Sequence, residues 1–165
     1  MITLKQINKA LNNTIQAALL NTEFADVEVR TRDTKEAIKK DTDGSYINVE
    51  RPSIKVIFDT TKSGKFNSQL KEQTLPVRVY FFAKDRDRPK LDNLAMQDIL
   101  VNTFLEDVKI TDTFYMPIAE DGEIQCSTTD GVLQITFDLY SLEEIYDDSN
   151  LEPIEELNFN LNLEE

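Results

Sequence analysis

Strict alternation of apolar and polar positions marks two stretches of this chain as strands. In Val77–Ala83 the residues Val77, Val79 and Phe81 share one face, with Arg78, Tyr80 and Phe82 on the other. In Val132–Tyr140, Leu133, Ile135, Phe137 and Leu139 alternate with Gln134, Thr136, Asp138 and Tyr140. A period of two is what a strand requires, because successive side chains leave the pleated backbone in opposite directions. Both faces of the first stretch are largely apolar or aromatic, which predicts a central strand covered on two sides. Pro76 is tolerated because it sits at the strand's start. Glu123–Thr128 and Val132–Tyr140 face each other across Thr129-Asp130-Gly131, a strong hairpin signal. Shorter strands are expected at Val27 to Arg30 and at Ser53 to Asp59, where Ile54, Val56 and Phe58 share a face, with extended segments over 108–112 and 113–118.

Two segments switch to the helical period. Leu4, Ile7, Leu11, Ile15, Ala18 and Leu19 form one stripe, and Lys5, Lys9, Asn12, Asn13 and Gln16 lie off it. Thr3-Leu4-Lys5-Gln6 is a capping box, so a helix is predicted from about 4 to about 20. The second segment, roughly 90–106, has three apolar rows: Leu91, Ala95, Ile99; Met96, Leu100, Phe104; and Leu94, Val101, Leu105. A helix that only covers a sheet shows one stripe. Either this helix is buried between the sheet and the first helix, or one row meets another subunit. Met96, Leu100 and Phe104 are the candidate contact row.

The connections are polar. Residues 33–51 predict a long surface loop with a turn at Asp41-Thr42-Asp43-Gly44. A calcium loop with Gly44 at its sixth position would place Lys39 at the first ligand, so that pattern fails. Thr60 to Glu72, with Lys62, Lys65 and Lys71, predicts a solvated hairpin tip; Gly64 lacks the Gly-Lys-Ser/Thr ending of a phosphate loop. Lys84-Asp85-Arg86-Asp87-Arg88-Pro89-Lys90 nearly cancels in charge, and Arg86 and Arg88 are candidate contacts for a charged partner. Leu157, Phe159, Leu161 and Leu163 alternate with asparagine, the pattern of a strand in search of a sheet edge. That edge can be its own, a neighbouring subunit's, or none until assembly. The chain therefore divides into an α+β domain over 1–142, a mainly antiparallel sheet of about five or six strands with two helices packed on it, and an acidic extension over 143–165 with a candidate strand at 157–163.

Composition narrows the function. At 165 residues one domain can bury roughly 70% of its unfolded surface, so no staple is required. The chain has no histidine, which removes the commonest general acid/base and the commonest transition-metal ligand. Ser-His and Cys-His nucleophile pairs are impossible within it. Four glycines provide no phosphate cradle. Cys126 is the one cysteine, with the bland expectation of a small buried strand residue. These features argue against an enzyme and imply no cofactor or metal. The net charge of −13 is concentrated: residues 143–165 hold nine acids and no base, leaving 22 acids against 18 bases before them. An acidic chain is a poor binder of nucleic-acid backbone, while its surface suits a lumen that DNA passes without sticking. The longest apolar run, five residues over 79–83, is far below the ~20 of a membrane span. No secretory apolar region follows Lys5 and Lys9, so synthesis in the cytosol is expected.

The element order, with Arg51-Pro52-Ser53-Ile54-Lys55-Val56-Ile57-Phe58, Leu75-Pro76-Val77-Arg78-Val79-Tyr80-Phe81-Phe82 and Asp92-Asn93-Leu94-Ala95-Met96, resembles the phage tail terminator proteins of Gram-positive prophages and related contractile, phage-tail-like particles. The likeness covers roughly residues 1–145; the last 20 residues extend beyond it. The resemblance implies a structural protein that assembles as a hexameric ring on the last ring of the tail tube. Such a ring stops tube growth and offers a docking surface to the neck, or collar, or to the last sheath layer. It implies partners among copies of the chain, the tail tube protein and sheath or neck proteins, with no sequence-specific nucleic acid, no membrane and no cofactor. It implies assembly in the bacterial cytoplasm, then a place in a virion or bacteriocin-like particle. The alternatives are a neck or head–tail joining protein and, from another class, a metal-dependent nucleic-acid enzyme built on carboxylates.

Overall fold

The computed structural model describes residues 2–30, 39–40, 46–47, 51–119 and 123–145. The chain opens with α1, Leu4–Leu19. The Thr3 hydroxyl oxygen accepts from the Gln6 amide at 3.3 Å, and the Gln6 side chain accepts from the Thr3 amide at 2.9 Å. This reciprocal cap satisfies two amides that a helix start otherwise leaves free. Ile7, Leu11, Ile15 and Leu19 are buried as the periodicity requires; Leu4 is exposed and Ala18 half-buried at the stripe's edges, while Ala10, and Asn12 expected off the stripe, are buried.

The strands follow in chain order: β1 Glu28–Arg30, β2 Lys39–Lys40, β3 Tyr46–Ile47, β4 Ser53–Phe58, β5 Lys62–Lys65 and β6 Leu70–Phe82. After β6 come α2 Lys90–Phe104, β7 Val108–Lys109, β8 Tyr115–Met116, β9 Gln125–Thr129 and β10 Val132–Glu144. The main sheet has six strands in the order β1-β4-β6-β10-β9, with β5 also paired to β6. Only the β1–β4 pair is parallel, so the architecture is α+β with a mostly antiparallel sheet. The long β6–β10 ladder sets the register, from Val132 opposite Phe82 to Glu144 opposite Leu70.

Register decides which side chains meet the helices. Leu75, Val77, Val79 and Phe81 of β6 point the same way as Leu133, Ile135, Phe137 and Leu139 of β10, and all eight are buried. Both helices pack on that face. Phe104 of α2 lies 4.4 Å from Phe137 between ring centroids, and Phe24, after α1, meets Phe81 edge-on at 5.7 Å. Such contacts add to the area that each ring removes from water.

Several expectations change here. The Val77–Ala83 strand is covered on one face only, because both helices choose the same side. On the other face Arg78, Tyr80 and Phe82 are half-buried beside their cross-strand neighbours Thr136, Gln134 and Val132. The solvated hairpin tip expected at 60–72 is a hairpin, with more pairing than a tip alone: β5 pairs with Lys71–Thr74 of a β6 that begins at Leu70. Asn67 closes that turn, its side-chain oxygen accepting from the Gln69 and Leu70 amides at 2.8 Å each. Within the expected loop at 33–51, β2 and β3 pair antiparallel, while Asp41 to Gly44 lie outside the described residues. Over 108–118 the extended segments reduce to the short β7–β8 pair and a bridge from Ile118 to Leu139. Finally, β10 runs to Glu144, past the Tyr140 end that its alternation predicts.

Candidate functional site

Chemistry-bearing side chains do not converge among the described residues. Among the described residues no group of three or more Cys, Asp or Glu is placed to hold a metal ion. Cys126 is half-buried on the helix-facing side of β9, opposite Ile135, rather than fully internal. Burial pushes its thiol pKa up, which disfavours the nucleophilic thiolate. No described helix is long and apolar enough to cross a membrane. What the fold does present is a set of surfaces.

The first surface is the outer side of α2. The expected contact row, Met96, Leu100 and Phe104, is fully buried in this single chain, each at 0% exposure. It cannot meet a partner, because it faces β10 and supplies the ring that touches Phe137. The exposed apolar residues are Leu91 at 77%, Leu94 at 50% and Leu105 at 71%. Positions 91, 94, 98 and 105 fall on one side of a helix, so Asp98 lies among these leucines. The sequence left open whether α2 is buried between the sheet and the first helix or meets another subunit, and the row it offered as a contact is the one that is buried. Choosing correctly needed the position of Phe137, 33 residues further along the chain.

The second surface is the loop from β6 to α2. Asp85 organises it: its carboxylate accepts from the Asp87 amide at 2.8 Å and the Arg88 amide at 3.3 Å. The β9–β10 turn fixes its far side. Asp130 and Gly131 both have positive φ, 52° and 76°, the two-residue turn that matches strand twist. The Asn93 side-chain amide donates to the Gly131 carbonyl at 3.2 Å, and Pro89 packs against Gly131. Arg86 and Arg88 are therefore exposed cations on a held loop, as a partner contact would need. Beside them the Arg51 guanidinium donates to the Ala83 carbonyl at 3.0 Å and lies 5.7 Å from the Phe82 ring centroid. Burial, with the nearby charge of Arg86, lowers its pKa from the ordinary arginine value.

The third surface is the β5–β6 hairpin, where the sequence predicts a solvated hairpin tip. It carries Lys62, Lys65 and Lys71, and Phe66 at its turn is 58% exposed. The remaining candidates, Leu157, Phe159, Leu161 and Leu163, lie outside the described residues.

Compared with known families, residues 6–151 match the family model described as phage tail terminator protein. No curated protein matches the chain.

Proposed function

This chain belongs to the phage tail terminator family, and on that premise we propose that copies of it form a ring, hexameric in number, on the last ring of a phage tail tube. The family is structural, and its members act among other tail proteins as part of a virion. In our reading the ring ends tube growth and presents a docking surface to the neck proteins or, in a contractile tail, to the last sheath ring. Arg86 and Arg88 on their held loop serve as partner contacts. The segment with Leu157, Phe159, Leu161 and Leu163 latches to a neighbour by strand addition. No reaction and no cofactor enter this account.

One observation carries it: α2 fills the core with Met96, Leu100 and Phe104 yet still leaves Leu91, Leu94 and Leu105 outside. Leucines left exposed on a surface helix favour a contact there, because leaving them in water costs free energy that burial against a partner recovers. Electron microscopy of the chain mixed with purified tail tubes and, separately, with head–portal complexes tests the reading. Binding confined to tube ends is expected. Binding to the portal side alone would favour a neck or head–tail joining role instead.

A further inference from the structure

We propose that the C-terminal segment 157–163 of one copy adds as an antiparallel strand to the outer edge of β9 in the next copy. This rests on the ring reading and on the strand addition within it, and names the edge that receives the strand.

Three strands of the main sheet have one edge that no described strand pairs with along its length: β1, β5 and β9. Charged side chains on an edge strand discourage pairing with another chain. β1 carries Glu28 and Arg30, and β5 carries Lys62 and Lys65 on four exposed residues. β9, Gln125-Cys126-Ser127-Thr128-Thr129, carries no charge.

The turn after β9 decides which of its backbone groups are open. Asp130 and Gly131 form a two-residue turn, so Thr129 and Val132 exchange backbone bonds, and alternation along the ladder makes Ser127 and Gln125 do the same with Gln134 and Thr136. The N–H and C=O groups of Cys126 and Thr128 therefore point away from β10. No described residue bonds to them. An added strand satisfies all of them.

The faces match as well. On the helix side of β9, Ile124 and Cys126 are half-buried and pack against the core. Exposed Gln125, Ser127 and Thr129 stand on the other side. Segment 157–163 repeats that alternation, with Leu157, Phe159, Leu161 and Leu163 against Asn158, Asn160 and Asn162. Paired on β9, its apolar row extends the half-buried end of the core, and its asparagines lie beside amide and hydroxyl side chains. Backbone bonds and apolar area make this pairing, not net charge.

Direction selects another copy as the donor. Ile145, the last described residue, lies at the Leu70 end of the β6–β10 ladder, its amide donating to the Gln69 carbonyl. For the chain's own segment to run antiparallel to β9, residue 157 must start beside Thr129, opposite Val132 and roughly 43 Å back along β10. The stretch from 145 to 157 spans about 40 Å only when fully extended. Antiparallel pairing is the more stable per residue, and a second copy supplies it without that stretch. Edge and segment are different surfaces, so the contact is heterologous and closes into a ring when the rotation permits.

Cys126, the one cysteine of the chain, is a built-in probe of this pairing. Full-length variants F159C, L161C, N158C and N160C each add a second thiol; wild type and F159C combined with C126S are the controls. Oxidation with copper phenanthroline, with and without tail tubes, is read by non-reducing electrophoresis. F159C and L161C should give covalent dimers and longer chains at least about fivefold more than N158C and N160C, because a disulfide needs Cβ atoms about 4 Å apart and so side chains on one face. C126S should abolish these links, and melting temperatures equal to wild type establish that the variants fold. Equal linking from both faces, or none in assemblies that sedimentation shows to form, would overturn the β9 assignment and leave the ring reading standing. Links within a single chain would make the copy's own segment the occupant and overturn the pairing between copies. A wild-type chain that remains monomeric up to about 1 mM, alone and with tubes, would overturn both readings.

Discussion

Gly131 is the residue at which backbone geometry leaves least choice. Its φ is 76°, and a Cβ there would lie 3.1 Å from Cγ of Pro89. An L side chain is strained in that region of φ and would also press on the proline. Gly131→Ala should therefore cost about 1–2 kcal/mol in urea unfolding. Gly64→Ala, where nothing lies within 4 Å, should change stability by less than about 0.5 kcal/mol. Equal losses at both would show that the turn is not the constraint. Charge at the residue scale is weaker but has a definite sign. Lys109 Nζ lies 2.9 Å from the Asp112 carboxylate, and this contact, first as a hydrogen bond and then as charge, lowers the Asp112 pKa. A depressed carboxyl contributes stability that is present above its unfolded pKa and is lost as pH falls through its folded pKa. An NMR titration should place Asp112 below the ordinary aspartate value, and Lys109→Ala should return it there. Both groups are exposed, so the pair stabilises little.

At the scale of elements, α2 carries a buried row beside exposed leucines. Phe104→Ala removes a ring at 0% exposure that touches Phe137, and should cost about 3–5 kcal/mol. The double change Leu91→Ser with Leu94→Ser should alter single-chain stability by less than about 0.5 kcal/mol while weakening self-association. Denaturant midpoints at low protein concentration, beside sedimentation at high concentration, read the two effects apart. Similar unfolding losses in both variants would mean that the assignment of rows is wrong. The same helix shows what a sequence can reveal. Its three apolar rows were visible in its spacing, as were the Thr3 cap of α1 and the alternation of β6 and β10, because each depends on neighbours a few residues apart. Which row of α2 faces inward depends on Phe137, and the burial of one face of β6 depends on both helices choosing the same side. Neither is a local property. β5 was missed for a different reason: Lys-Ser-Gly-Lys has no apolar alternation, and that strand is held by ladder bonds and the Asn67 turn.

Taken whole, the described residues form an α+β fold with its chemistry spread thin. A chain without histidine, with one half-buried cysteine and no described metal cluster, still builds a held basic loop, a leucine-bearing acidic helix and a lysine-tipped hairpin. Membership in the phage tail terminator family gives those faces a setting among other phage tail proteins. The strictest test is the length distribution of tail tubes, measured by electron microscopy in particles assembled with and without this protein. The account predicts tubes of one length when it is present and a broad distribution, with overlong tubes, when it is absent. Uniform tubes in its absence would contradict it.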